Sequence, residues 1–149
     1  MLDLEVSRAF ALPAHALWPL VGRFSRLPEW FPGIDDFSCT GDSPGATRQI
    51  HIGPFRVTQA LLAQDDTGLR TVYQVTDGSG ITPATGFVVT IWLVPDTARG
   101  CRLHWRAELA ALPSLLPTGS EAAFIARTRG NYESALDHLE QVLARRNEE

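Results

Sequence analysis

Residues 101–109 read CRLHWRAEL and alternate between apolar and polar side chains. A period of two predicts a β-strand with one buried and one solvated face. From Ser120 to Arg145 the pattern changes, and apolar residues recur at intervals of three, four or seven. That spacing predicts an amphipathic helix. Its apolar positions are Ile125, Tyr132, Leu136, Leu139 and Leu143. The chain is therefore expected to end in a half-buried strand followed by a long helix.

Upstream of this strand, clusters of Gly, Pro, Asp and Ser separate further strand-like segments, as in an antiparallel meander. These segments are Ile34–Thr40, Ala46–Ile52, Phe55–Ala63, Leu69–Thr76 and Gly86–Val94.

The chain begins with another alternating segment, Leu2–Phe10, in which Arg8 interrupts the apolar face. Two short helices follow, Ala14–Gly22 with Pro19 inside it and Phe24–Phe31. We therefore expect an α+β fold in which the long helix packs on an antiparallel sheet of six to seven strands. A curved sheet of this kind leaves a concave space beside the helix. Gly130, within the helix, predicts either a kink or a close approach of another element.

Size and charge exclude several classes of protein. The chain has 149 residues and a net charge of −4, which suits one domain over residues 1–149. The sequence has no stripe of basic residues of the kind that would indicate nucleic-acid binding. It also has no apolar stretch long enough for membrane insertion. The acidic start Leu2-Asp3-Leu4-Glu5 does not resemble a secretory signal. We expect a cytoplasmic protein in which Cys39 and Cys101 are free thiols, although they could pair.

The chain has no lysine, since all 13 of its basic residues are arginine. Lysine Schiff-base chemistry is therefore excluded, and arginine anchors anions without exchanging protons. His51 and His104 fall on the outer phase of their strands, and no pair of histidines has metal-ligand spacing. We expect no metal and no cofactor.

Several short motifs follow one another along the chain. They are Leu17-Trp18-x-Leu20-Val21 with Phe24, Trp30-x-Pro32, Gly41, Gly45-x-x-Arg48, Leu61-Leu62-Ala63-x-Asp65, Tyr73-x-Val75-x-Asp77-Gly78, Pro83 before Gly86-Phe87, and Trp105. Their order and spacing resemble the START-like (SRPBCC) superfamily, and most of all its bacterial polyketide cyclase/dehydrase group. The resemblance implies the helix-grip fold, a curved sheet wrapped around a long C-terminal helix. Members often carry Glu then Arg where this chain has Gln59 and Ala60, which weakens a proton-transfer mechanism.

The strand phases and the resemblance together predict the lining of an internal cavity. The candidate ligand-binding residues are Trp30, Arg48, Gln59, Tyr73, Phe87, Val89, Ile91, Trp105, Phe124 and Tyr132. Most are aliphatic or aromatic, and Thr71 adds one more polar group. Such a lining suits a flat or hydrophobic ligand that carries one or two oxygen atoms.

Arg48 is the sharpest candidate, because a buried charge needs a partner. A ligand carboxylate, a protein carboxylate at the cavity mouth, or exposure after a one-residue phase error would each satisfy it. Tyr73 and Tyr132 are either donors to a ligand or core residues with satisfied hydroxyls. Trp30 and Phe31 either gate the entrance or form a packed corner.

Three functions remain open from the sequence. The first is binding or transport of a hydrophobic small molecule that is lipid, polyketide or isoprenoid-like. The second is a polyketide cyclase or dehydratase-like enzyme, in which a Tyr or a water molecule moves protons. The third is a protein–protein interaction module that uses Val88 and Trp92 on the outer sheet face, for instance as a homodimer, unless a loop of the chain covers these two residues.

Overall fold

The computed structural model describes residues 2–77, 87–97, 99–109 and 120–148. Its strands are β1 (Leu2–Phe10), β2 (Asp36–Cys39), β3 (Thr47–Ile52), β4 (Phe55–Asp65), β5 (Arg70–Asp77), β6 (Phe87–Thr97) and β7 (Gly100–Leu109). Its helices are α1 (Ala14–Val21), a 3-10 helix at Phe24–Glu29, and α2 (Ser120–Glu148). The predicted element order is confirmed. The motif residues Gly78, Pro83 and Gly86 lie outside the described residues.

The strands form one antiparallel sheet in the order β1-β7-β6-β5-β4-β3-β2. Strands β2 to β7 pair in sequence as a meander, and β1 pairs with β7 from Leu2↔Leu109 to Phe10↔Cys101. The segment with α1 and the 3-10 helix therefore carries the chain from one sheet edge to the other. This arrangement, with α2 after the last strand, is the predicted helix-grip fold.

The alternation of β7 is seen directly in its burial. Cys101, Leu103, Trp105, Ala107 and Leu109 are buried, whereas the residues between them are half-buried or exposed. Burying each large apolar side chain contributes roughly 1.5–3 kcal/mol. The inward phase predicted for the neighbouring strands is confirmed as well. Buried residues there include Arg48, Ile50, Leu61, Tyr73, Val75, Phe87, Val89, Ile91 and Leu93.

Helix α2 buries one stripe, spaced three and four residues apart as the sequence predicts. The stripe consists of Phe124, Thr128, Tyr132, Ala135, Leu136 and Leu139. Ile125 and Leu143, predicted on the same face, lie at its edge and are half-buried. A Cβ atom on Gly130 would meet no described atom within 4 Å, so no described element approaches this glycine closely.

Arg8 interrupts the apolar face of β1 because it binds carboxylates of α2. Its guanidinium lies 2.9 Å from Glu133, 2.7 Å from Asp137 and 3.4 Å from Glu140. These residues lie on successive turns of the helix, at positions 133, 137 and 140. The exception in the strand pattern is therefore an anchor between β1 and α2.

On the outer sheet face, side chains of neighbouring strands cover Trp92. Its ring stacks on His104 with centroids 4.8 Å apart, and the Arg70 guanidinium lies 5.6 Å from its centroid. Trp92 and Val88 are both half-buried.

In the part of the chain that the structure describes, no helix is long and apolar enough to cross a membrane. Cys39 and Cys101 are free thiols, as expected.

A candidate ligand-binding cavity

A cavity of about 170 Å³ lies between the concave sheet face and α2. Its lining residues are Leu27, Phe31, Arg48, Ile50, Ile52, Val57, Gln59, Tyr73, Val75, Phe87, Val89, Trp105, Thr128, Asn131 and Tyr132. Arg48 and Tyr73 are buried and mark a deep end, whereas Phe31, Ile52 and Val57 are half-buried and mark the opening. The charged group of the cavity therefore lies among buried residues, whereas its more exposed lining includes the apolar Ile52 and Val57 and the polar Asn131.

Seven of the ten predicted site residues line this cavity, and three lie elsewhere. Trp30 and Ile91 line a void of about 10 Å³ beneath α1 and the 3-10 helix, which adjoins the cavity at Leu27, Arg48 and Tyr73. Phe124 packs edge-on against Phe87 with centroids 5.9 Å apart, beside a third small void. Of the two alternatives for Trp30, an entrance gate or a packed corner, the structure shows the packed corner. The ring centroids of Trp30 and Trp105 lie 5.4 Å apart behind the cavity wall.

The sequence reasoning missed several lining residues for which the sequence carries a signal. Ile52 continues the inward phase of Arg48 and Ile50, and Val57 continues that of Gln59. Thr128 lies one helical turn before Tyr132, on the same stripe of α2. Asn131 also lines the cavity and lies three residues after Thr128 on α2, whereas no periodicity marks Leu27.

Arg48 extends into the cavity from β3, and its guanidinium is held by neutral groups. Its Nε donates to Oε1 of Gln59 at 2.7 Å, and Nη1 donates to the backbone carbonyl of Phe24 at 2.9 Å. The guanidinium carbon lies 4.0 Å from the ring centroid of Phe24 and 4.6 Å from that of Tyr73. The bond to Gln59 follows from sheet register, because the two residues are partners across β3 and β4.

The burial of Arg48 decides between two of the alternatives that the sequence leaves open. The side chain is 4% exposed, so the predicted phase is correct and exposure is excluded. Among the described residues, no Asp or Glu forms an ion pair with it. Burial lowers the pKa of Arg48 to about 10, which leaves it charged at neutral pH. The cavity thus contains a buried cation without a described carboxylate partner.

The aromatic wall adds further polar atoms to the cavity. The rings of Trp105 and Tyr132 stack with centroids 4.1 Å apart and an interplanar angle of 13°. The indole Nε1 of Trp105 is buried and has no hydrogen-bond partner. Burial raises the pKa of Tyr73 and, more strongly, that of Tyr132, so both hydroxyls stay protonated at neutral pH. The nearby Trp105 N–H acts against this rise in both pKa values without reaching the geometry of a hydrogen bond.

The site lacks the usual ligands of a metal ion. Within the described ranges, no group of three or more His, Cys, Asp or Glu side chains could hold one. None of the four histidines is among the residues that line the cavity.

Comparison with known proteins agrees with this architecture. No curated protein matches the sequence. A protein from Thermobifida fusca, solved by NMR, is 26% identical, with a TM-score of 0.75 and coverage of 93% of this chain and 91% of that one. A START superfamily protein from Mycobacterium smegmatis is 14% identical, with a TM-score of 0.69 and coverage of 94% and 98%. Norcoclaurine synthase from Thalictrum flavum is 18% identical, with a TM-score of 0.63 and coverage of 92% and 95%.

The last two likenesses establish the fold alone. The family described as polyketide cyclase / dehydrase and lipid transport matches residues 1–144, nearly the whole chain. This match leads to one conclusion: the chain belongs to the polyketide cyclase/dehydrase and lipid transport family.

Proposed function

We propose that the protein binds and carries a hydrophobic small molecule in the cavity between the sheet and α2. The observation that carries this proposal is the cavity itself, about 170 Å³ in volume, with a largely apolar wall and a polar deep end. An apolar cavity of about 150 Å³ in another protein holds benzene. The volume here suits a ligand with one ring or a short chain in the interior. The longer part of a lipid, polyketide or isoprenoid-like molecule would extend through the opening beside Ile52 and Val57.

Binding has better support than catalysis by proton transfer. General acid–base catalysis works best when the pKa of the catalytic group lies near the operating pH. The lining groups that ionise are Arg48, whose pKa is lowered only to about 10, and two tyrosines with raised pKa values. Gln59, which stands where a carboxylate could act, has no proton to exchange. These groups can orient a ligand at neutral pH without changing their charge.

Filling the cavity tests the proposal. Val75 faces the cavity and Val72 faces the opposite side of the same strand. We expect Val75→Phe to weaken binding of trans-cinnamamide, a neutral aromatic probe, at least about tenfold in calorimetric titration because the ring occupies ligand space. The matched control Val72→Phe should bind like the wild type.

A second experiment looks for the natural ligand of the cavity. Native mass spectrometry of protein purified without detergent should detect a retained apolar molecule that organic solvent extracts. Equal probe binding by wild type, Val75→Phe and Val72→Phe would contradict a ligand site in this cavity.

A cytoplasmic location remains part of the proposal.

Self-association through Val88 and Trp92 is a separate prediction, which light scattering over a range of protein concentrations tests. A molar mass that stays at the 16.4 kDa of one chain would reject it.

A further inference from the structure

Hydrogen-bond donors are in excess at the deep end of the cavity. A guanidinium has five N–H groups, and the bonds of Arg48 to Gln59 and Phe24 use only two of them. The indole N–H of Trp105 is a further buried donor without a partner. The Oε1 atom of Gln59, an obvious acceptor in the wall, already accepts from Arg48. The hydroxyls of Tyr73 and Tyr132 also line the cavity and can each accept one of these bonds. A ligand that supplies acceptors complements the donors that remain.

The charge of Arg48 further restricts the chemical class of the ligand. A buried cation is stabilised by a counter-ion and is costly without one. Among the described residues, Arg48 contacts neutral groups, namely an amide oxygen, a backbone carbonyl, two ring faces and the nearby Tyr73 hydroxyl. Burial lowers its pKa, and Tyr73 and Cys39 offset only part of that effect. An anion in the cavity would supply what the protein leaves out.

We propose that the molecule held in the cavity is a carboxylate, with its two oxygens bound by Arg48 at the deep end and its apolar body directed to the opening. This inference rests on the proposed function and adds the chemical class of the ligand. A carboxylate is planar, has only acceptors, and matches the fork of a guanidinium. The remaining lining suits an apolar body, because Ile50, Val75 and Val89 surround it with hydrocarbon.

The orientation follows from the burial gradient. Arg48 and Tyr73 are buried, whereas Ile52 and Val57 at the other end are half-buried. The charged head of the ligand therefore enters first and loses its water at Arg48. The Trp105 N–H is a second buried donor of a lining residue, and an acceptor on the ligand would satisfy it.

One pair of probes separates this inference from the proposed function. Trans-cinnamate carries the carboxylate, and trans-cinnamamide is its neutral counterpart of nearly equal shape. We expect wild-type protein to bind cinnamate at least about tenfold more tightly in calorimetric titration, as hydrogen bonds to a charged group imply. Equal affinity for the two probes would overturn the carboxylate assignment and leave hydrophobic binding intact. If neither probe binds, both the proposed function and this inference fail.

A single substitution then tests the role of Arg48. Gln59→Glu places a protein carboxylate beside the guanidinium, at the site of the present 2.7 Å contact. We expect it to abolish the preference for cinnamate over cinnamamide, because the counter-ion is now internal. Gln49→Glu adds the same charge on the outer face of β3 and should retain the preference.

Preserved cinnamate preference in Gln59→Glu would place the anion away from Arg48 and overturn the inference. If that variant fails to fold, the ratio of the two affinities in the wild type still decides the class of the ligand.

Discussion

The Nε atom of Arg48 donates to the amide oxygen of Gln59 across 2.7 Å, so the buried cation is held in position without being neutralised. Sheet register brings the two residues together as partners on β3 and β4. Gln59 fixes the guanidinium and leaves its positive charge to act on the cavity. This relationship connects the fold to the proposed ligand, because the charge available to a ligand depends on what the protein does not supply.

Arg48 is expected to serve binding at the expense of stability. Replacing a buried charge by an apolar side chain of similar length is often neutral or stabilising. We therefore expect Arg48→Met to have the same free energy of unfolding as wild type, or up to about 2 kcal/mol more, in urea denaturation at neutral pH. A loss of more than about 2 kcal/mol would show that the contacts to Phe24 and Gln59 are mainly structural.

Two buried indoles provide a matched comparison. Trp30 and Trp105 both have a buried Nε1 without a hydrogen-bond partner, but only Trp105 lines the cavity. Replacing either by Phe removes an unmet donor and some apolar surface, so we expect each free energy of unfolding to change by less than about 2 kcal/mol. Trp105→Phe should weaken cinnamate binding several-fold, whereas Trp30→Phe should stay within about twofold of wild type. Calorimetry checks both, and equal losses in the two variants would contradict the assignment.

The anchor between β1 and α2 should depend on salt. Arg8 meets three carboxylates whose side chains are 44–66% exposed, and exposed ion pairs of this kind contribute little each. We expect Arg8→Met to lower the free energy of unfolding by about 1 kcal/mol at low salt and by less in about 1 M NaCl, where the charges are screened. Arg102→Met, which removes a bond to the Ser7 hydroxyl, is the control and should show no such salt dependence. An Arg8→Met effect that is equal at both salt concentrations would contradict the account.

Asp66 should make stability depend on acid pH. Gln64 and the indole N–H of Trp18 donate to its carboxylate at 2.9 and 3.0 Å, and these bonds lower its pKa below the ordinary 3.8. Because the folded pKa is the lower one, the stabilisation is complete above the unfolded pKa and is lost as pH falls through the folded pKa. We expect wild type to exceed Asp66→Asn in free energy of unfolding at about pH 6, with the difference shrinking below about pH 4. Urea denaturation across this range measures it, and a difference that does not vary with pH would reject it.

Much of the fold could be predicted because local patterns determine it. The alternation of Cys101–Leu109 and the stripe of α2 each follow from one period, and both are confirmed. The alternation of side chains along each strand also predicted that Arg48, Tyr73 and Trp105 face the concave side of the sheet. Arg8 appeared only as an exception, because its partners lie more than 120 residues away on α2.

The lining of the cavity was harder to predict than the face of each strand. Facing inward does not place a residue at the cavity, because Ile91 and Trp30 pack behind its wall while Val89 forms part of it. That division depends on the curvature of the sheet and on where the 3-10 helix lies. The backbone bond from Arg48 to Phe24 has the same origin, since a backbone carbonyl leaves no mark in the sequence.

The most direct test of ligand binding in this cavity uses the four indole N–H signals in a ¹H–¹⁵N NMR spectrum. Trp105 lines the cavity and has an unpartnered N–H, whereas Trp18 already donates to Asp66, Trp30 lies behind the wall and Trp92 lies on the outer face. On titration with trans-cinnamate, the indole signal of Trp105, assigned with Trp105→Phe, should move furthest and saturably. If the Trp92 signal moves instead, or if no indole signal moves while the probe binds, the cavity is not the binding site.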